Sequence, residues 1–481
     1  MNKFDLAIIG SGPGGYRAAV LAALRGLKVA IVEKAEWGGC CLNRGCVPKK
    51  AWYQSARLIA ESREFAARGI QGALQGDLPG AWRHQHAMVA RVRASYADYL
   101  QRLGVRTLHG AAHFLDPQTI AVGGAAPLVA RHVIIATGSS PFVPPSLPLC
   151  RDRILTTDDL FDRPPPAGKR VAVIGSGVIG TEFAFILGML GQEVMWLMQH
   201  DPLSDSAYSV PARKALLEAL SACGIRPRTA SRVAAASVGA DGVVLTLPDG
   251  SREKVDWVLL GAGRVPHTTG LGLAAAGIDI DDDGFIKVDA YQQTSAPSIY
   301  AIGDVANAAM TSNHALAEAA VAVGNIIAAQ SRRRDDVAVP EVIYSALELA
   351  RIGLNEDLAE ARDIEPAIGF AAFEANPAAL AQGDARGFVR LVADMDSGRL
   401  LGAEIVGRDA AELIHLLGIE FGAADALKRL AGTAYSHPTR AEEILNAVET
   451  LASRWKLGGH VFGSAMGSLE PADSDTGRDG E

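Results

Sequence analysis

The sequence predicts an α/β protein in which two Rossmann-like units precede a separate α+β domain. Three observations predict it. The composition, with 51 glycines, 49% hydrophobic and 21% charged residues, is that of a globular α/β chain. A strand–glycine turn–helix pattern occurs twice, at Gly10-Ser11-Gly12-Pro13-Gly14-Gly15 and at Gly175-Ser176-Gly177-Val178-Ile179-Gly180. From about residue 341 the pattern changes to two strand-like runs followed by helices. At 481 residues the chain is long enough for three domains of about 150 residues each.

In chain order, Phe4 to Ile9 is an apolar strand, the first glycine loop follows, and Tyr16 to Leu24 is a helix. A second strand, Lys28 to Val32, ends in Glu33. This is a dinucleotide fingerprint in the context it requires. Gly10, Gly12, Gly14 and Gly15 let the backbone approach a pyrophosphate at the helix start, and Glu33 is placed to accept from the ribose hydroxyls. The pattern returns with a strand at Arg170 to Ile174, glycines 175, 177 and 180, a helix at Thr181 to Leu190 and a strand at Glu193 to Met198. Two such units imply two dinucleotides, and redox proteins pair a tightly held flavin with a mobile nicotinamide.

The copies differ at the ribose acid. The step of 23 residues from Gly10 to Glu33 lands, from Gly175, on Met198. Gln199 is the hydrogen-bonding residue next in line, no Arg or Lys stands ready for a 2′-phosphate, and Asp201 and Asp205 would repel one. NAD is therefore expected, with NADP the alternative.

Small-residue turns after buried strands suit crossings between units: Val133 to Ser139, with Gly138, and Val258 to Arg264, with Gly263. Ser298 to Asp304 is a strand ending in Gly-Asp before a long Ala-rich helix, and Asp304 suits a flavin ribityl chain. Pro-rich loops at 141–148 and 163–168 mark boundaries around the second unit. Further on, Phe388–Val392 and Leu400–Val406 read as strands, 409–419 and 440–453 as helices, and 459–481 as a frayed tail.

A net charge of −8 argues against nucleic-acid and membrane partners. The N-terminus enters a strand without a secretory pattern, and no run of 18 apolar residues occurs, so a cytoplasmic location is expected. Five cysteines, at 40, 41, 46, 150 and 223, are too few for a stapled secreted scaffold. Three crowd into seven residues without the further ligands a zinc site needs, and Asp281-Asp282-Asp283-Gly284 lacks the spacing of a calcium loop, so no metal is expected. Cys41 and Cys46, close beyond the first glycine loop, suggest a dithiol that works in catalysis.

With these motifs in place, the chain resembles the pyridine nucleotide–disulfide oxidoreductases over residues 1–458. Gly38-Gly39 leading into Cys41-x4-Cys46, and His437-Pro438-Thr439-x-x-Glu442, carry the resemblance most specifically. It implies an FAD-binding domain at 1–142 continuing through 270–340, an NAD(P)-binding domain at 143–269, an α+β dimerisation domain at 341–458 and a flexible tail. It implies that Cys46 faces the flavin while Cys41 exchanges with an external disulfide. Lys50, four residues past Cys46, would sit by the flavin and pair with Glu182. His437 would act as acid/base, oriented by Glu442, on the other subunit's dithiol, making the enzyme a homodimer with a shared site.

Within that family the motifs are mixed. Val47-Pro48-Lys49-Lys50 resembles glutathione reductase, whereas Gly12-Pro13-Gly14-Gly15-Tyr16 resembles dihydrolipoamide dehydrogenase. Pro13 and Val20 stand where glutathione reductases hold a glycine carboxylate, which a site without a cation rejects. A small-molecule or lipoyl disulfide is the expected substrate, with another disulfide, a quinone or a metal ion as the alternative acceptor. Arg44, Trp52 and Tyr53 put a cation and large rings near the dithiol, or else pack a helix. Cys40 is either a third thiol or a small buried hydrophobe. Val178, where many relatives carry a gating tyrosine, would leave the nicotinamide less covered.

Overall fold

The computed structural model describes residues 3–150, 152–455 and 457–462. They form two compact units. One comprises the chain up to Ser206 together with Leu216–Ala346, the other Ala207–Ala215 together with the chain from Leu347.

The first unit begins with β1 (Lys3–Ile9), α1 (Pro13–Ala23), β2 (Val29–Glu33), α2 (Gly39–Asn43), α3 (Cys46–Glu61) and α4 (Leu78–Arg102). There follow β3 (Arg106–His109), β4 (Ala112–Asp116), β5 (Thr119–Val122) and β6 (Leu128–Ile135). Their sheet runs β3-β2-β1-β6-β5-β4. β1 pairs in parallel with β2 (Leu6↔Val29) and with β6 (Lys3↔Val129). Leu6, Ala7 and Ile8 are fully buried: Leu6 and Ile8 share a core with Ala18 and Ala322 of the flanking helices, and Ala7 shares the opposite one with Phe114, Ile120 and Val122 of β4 and β5.

A short pair, β7 (Ser139–Pro141) with β16 (Arg264–Pro266), bounds the second nucleotide unit at both crossings. Between them lie β8 (Ile154–Thr156), α5 (Thr157–Asp162), β9 (Arg170–Ile174), α6 (Val178–Met189), β10 (Glu193–Leu197) and β11 (Pro227–Arg228). A three-stranded antiparallel sheet, β12 (Ala235–Gly239), β13 (Gly242–Thr246) and β14 (Arg252–Val255), precedes β15 (Trp257–Leu260). The parallel order is β11-β10-β9-β15-β8. β17 (Ile299–Ala301) then returns to pair with β6 of the first sheet, and the helix Ser312–Ile327 follows it.

Both helices after the glycine loops start three residues earlier than expected, at Pro13 and Val178. The loops themselves supply their first turns, and Pro13 at the start of α1 loses no intrahelical hydrogen bond.

In the second unit, β18 (Glu348–Gly353), β19 (Pro366–Ala372), β20 (Phe388–Asp394) and β21 (Leu400–Val406) form antiparallel pairs in the order β18-β21-β20-β19. Helices Ala410–Glu420 and Glu442–Arg454 match the two expected there within two residues. Of the stretch 459–481 read as a tail, residues up to Phe462 belong to a short helix from Gly458, and the rest lies outside the described residues. Among the described residues no helix is long and apolar enough to cross a membrane.

Candidate active site

The glycine loops show why glycine is required. Gly10 has φ +104°, and a Cβ there would lie 2.3 Å from the Ala136 carbonyl oxygen. A Cβ on Gly15 would meet the Gly10 oxygen at 2.0 Å. The second loop repeats both constraints: Gly175, at φ +133°, abuts the Gly261 oxygen at 2.2 Å, and Gly180 abuts that of Gly175 at 2.1 Å. Gly12 and Gly177 differ, because a Cβ there would meet nothing within 4 Å. Both line one cavity of about 1600 Å³ that runs past both loops. Two bare backbone segments at helix starts facing open space fit the pyrophosphates of two dinucleotides. Gly138 and Gly263, at φ +71° and +109°, line the same cavity at the crossings.

Glu33 ends β2 almost fully buried. Its Oε2 accepts from the Ser11 N–H at 2.9 Å and the Ser11 hydroxyl at 2.6 Å, and Oε1 accepts from the Ala35 N–H at 2.9 Å. Asp304 also lines the cavity, and its Oδ2 accepts from the Ser139 hydroxyl at 2.5 Å.

The cysteine turn sits on the same loop. Gly38 (φ +96°) and Gly39 (φ +61°) enter α2, and a Cβ on Gly39 would lie 2.7 Å from the Gly12 Cα. Asn43 closes the turn, donating through Nδ2 to the Gly39 and Trp37 carbonyls. Cys41 and Cys46 are free thiols lining the cavity, with Cys46 the first residue of α3. The Cys46 sulfur lies 3.0 Å from the Ser312 hydroxyl. Its thiol is pulled down to about 6 by a hydrogen bond from Cys41, by Ser312 and by the Lys49 ammonium, against desolvation and Glu182. Cys46 is open to the cavity while protein walls its other sides, so exposure and desolvation coexist there. The hydrogen bonds and the cation set the direction. Cys41 is held well above the ordinary thiol range, first because its S–H is committed to Cys46, then by burial.

The structure corrects the lysine. Lys49, not Lys50, makes the ion pair with Glu182, at 2.7 Å. Helix phase is the reason: α3 packs on α6, and the residue three past Cys46 is the one turned toward Glu182. Glu182 Oε1 also accepts from the Tyr344 N–H at 2.9 Å. Lys50 instead lies over the Tyr344 ring, 3.7 Å from its centroid.

Of the large residues near the dithiol, Trp52 and Tyr53 are fully buried, and Trp52 packs against Phe161 and Phe183. Packing is their role. Arg44, inside the turn, pairs with Glu36 at 3.0 Å and Asp162 at 2.6 Å. Cys40 is pushed up to about 12 by burial, so it is protonated at neutral pH. Arg264 approaches its sulfur at 3.6 Å and donates through Nε to the Ser139 hydroxyl at 2.7 Å, joining the segment before the dithiol to the Ser139–Asp304 bond. Sequence reasoning missed Arg264 and Ser312. For Ser312 the signal was present, since Thr311 caps the following helix by accepting from the His314 N–H and so puts Ser312 at its start.

At the second loop, Val178 lines the cavity and is 43% exposed. Met198, Gln199, Asp205, Ser231 and Arg232 line the end where the ribose acid was sought. The expectation of no cation there is corrected. The Ser231 N–H donates to the Met198 carbonyl at 2.8 Å, which draws the loop after β11 alongside, and Arg232 lines the cavity wall.

In the second unit, His437 Nδ1 lies 2.8 Å from Glu442 Oε1. Glu442 Oε2 accepts from the Thr439 N–H at 2.7 Å, and these two contacts hold its carboxyl below the usual range. The His437 side chain is 71% exposed, and the peptide into Pro438 is cis.

Comparison with known proteins agrees with this geometry. Residues 4–324 match the family described as pyridine nucleotide-disulphide oxidoreductase, and 339–448 its dimerisation domain. A dihydrolipoyl dehydrogenase of Thermus scotoductus is 37% identical, covering 94% of this chain and 98% of its own length. A glutathione reductase of Burkholderia cepacia is 34% identical, covering 92% and 98%. The crystal structure of LpdA from Mycobacterium tuberculosis superposes with a TM-score of 0.86 at 26% identity, covering 94% and 100%.

Proposed function

Because the chain belongs to the pyridine nucleotide-disulphide oxidoreductases and is a flavin- and NAD(P)-dependent enzyme of that family, we propose that it exchanges electrons between a lipoyl-type dithiol and NAD. The observation that carries this reading is the low-pKa thiol of Cys46 in the cavity shared by both glycine loops. FAD at the first glycine loop and NAD at the second, when bound, would supply the two-electron chemistry that reoxidises the dithiol.

The chain's own residues do the rest. One substrate thiolate attacks Cys41 of the Cys41–Cys46 disulfide, and Cys46 leaves as a thiolate. The Ser312 hydroxyl and the Lys49 ammonium, which stay beside Cys46 whatever Cys41 is bonded to, stabilise its thiolate and make it the better leaving group. The second substrate thiol loses its proton to His437 and attacks the substrate sulfur of the mixed disulfide, and Cys41 departs and takes up that proton. The substrate becomes a cyclic disulfide and the cysteine pair a dithiol, a balanced two-electron exchange. Glu442 on Nδ1 fixes the tautomer and leaves Nε2 to move the proton. The dyad of each subunit serves the dithiol of the other in a homodimer, for which the dimerisation domain speaks. Lys49 keeps positive potential beside Cys46, and Gln199 bonds a free ribose hydroxyl.

An uncharged substrate disulfide is favoured over glutathione because Val20 is buried and Pro13 offers no donor to a carboxylate. Steady-state turnover with lipoamide, oxidised glutathione and other disulfides, each with both nicotinamides, tests the reading. Lipoamide with NAD is expected to lead, and glutathione turnover of equal rate overturns the substrate.

A further inference from the structure

The two glycine loops each carry a serine between their first two glycines, Ser11 and Ser176. In the first unit Ser11 holds the ribose acid directly, through its N–H and hydroxyl to Glu33. In the second, the strand-end position is the buried thioether of Met198, which offers nothing to a diol. The chain beyond it does not leave the site. The Leu203 N–H donates to the Ser176 carbonyl at 2.8 Å, and Leu203 takes φ +59°. The Ser204 N–H donates to the Asp201 carbonyl at 3.1 Å, and the Ser206 N–H and hydroxyl both donate to the Leu203 carbonyl. This turn ties the segment back to the loop serine, and Asp205 lines the same cavity wall as Gln199. The Ser204 hydroxyl lies 3.4 Å from Asp205 Oδ1.

We propose that Asp205 reads the adenosine ribose of the nicotinamide dinucleotide, accepting from its 2′-hydroxyl from a turn as Glu33 is placed to do from a strand end. It thereby selects NAD(H) over NADP(H). The proposal rests on the reading of the second loop as the nicotinamide site. Arg232 on the same wall makes the selection conditional. With Asp205 present a 2′-phosphate meets a carboxylate before the guanidinium counts, and with Asp205 neutralised Arg232 is left to receive the phosphate.

The test is calorimetric titration of the flavin-bound dimer with ADP-ribose and with 2′-phospho-ADP-ribose, which reads binding without turnover. The native protein is expected to bind ADP-ribose about tenfold more tightly than its 2′-phosphate, the worth of one charged hydrogen bond. Asp205→Asn is expected to weaken ADP-ribose about tenfold and to strengthen the phosphorylated probe. Adding Arg232→Ala removes that gain, and Asp205→Glu keeps the native preference, which separates a lost carboxylate from a damaged fold. Unchanged affinities in Asp205→Asn, or equal binding of the two probes by the native protein, overturn the assignment of Asp205. No binding of either probe to the native protein overturns the reading of the second loop itself.

Discussion

The two glycine loops share one backbone and part company at the side chains around it. Each has a positive-φ first glycine pressed on a carbonyl of the neighbouring strand end and a last glycine pressed on the first. Each opens its middle glycine to the cavity. Yet the first loop is braced by its neighbours, with Glu33 bonded by Ser11 and Ala35 and the cysteine turn seated on Gly12. The second has a buried methionine at the acid position, an exposed Val178 and a ribose end lined by a turn. The contrast suits a group that stays bound on one side and one that exchanges on the other. Rigidity comes here from side chains that finish a loop, not from the loop itself.

The largest effect is expected from glycine exchanges matched across the loops. Gly10→Ala adds about 1–3 kcal/mol of backbone strain, besides the overlap with Ala136, and should yield protein without flavin, read from its visible absorbance per subunit. Gly175→Ala should keep the flavin and lose nicotinamide binding. Flavin loss from both variants would mean the loops are not independent. Next, Cys46→Ser should lower disulfide turnover by about 10³-fold or more while NADH titration stays native, since serine's far higher pKa leaves no competent leaving group. Native NADH binding in that variant is what the contrast requires.

A smaller change is expected at the acids. Glu33→Gln should weaken flavin retention by about tenfold, measured by dialysis against urea, because it replaces an acceptor of three hydrogen bonds by a group that also donates. The smallest separates the adjacent lysines. With Cys46 at about 6, its alkylation in the reduced enzyme should rise as pH passes upward through 6 and flatten above. Lys49→Met removes the stabilising cation and should move that midpoint up by about one unit. Lys50→Met should leave it in place, and equal shifts would reverse the correction.

Much of this was legible because it is local. The glycine loops, Glu33, Cys41–Cys46 and His437–Glu442 are each defined within a few turns of chain, and the spacing carries the geometry. What was not legible depends on how distant elements meet. Lys49 and Lys50 both fall near the start of α3, and only the packing of α3 on α6 decides which reaches Glu182. Ser312 meets Cys46 across 266 residues, and Arg264 reaches Ser139 across 125. Arg232 arrives in the loop after β11, held beside Met198 by the Ser231 N–H, which no spacing from the glycine loop encodes. The readings of Trp52 and Tyr53 as substrate-facing or packing were equally open until burial assigned them to the interior.

The contact of Gly39 with Gly12 has a consequence for how this enzyme tolerates change. Main chain rests on main chain there, with no side chain between to be trimmed or enlarged. The offset between the phosphate turn and the two sulfurs is therefore indifferent to drift in the surrounding residues. Divergence can remodel the substrate mouth freely, while any residue larger than glycine at position 39 would pry the reactive sulfurs away from their electron source.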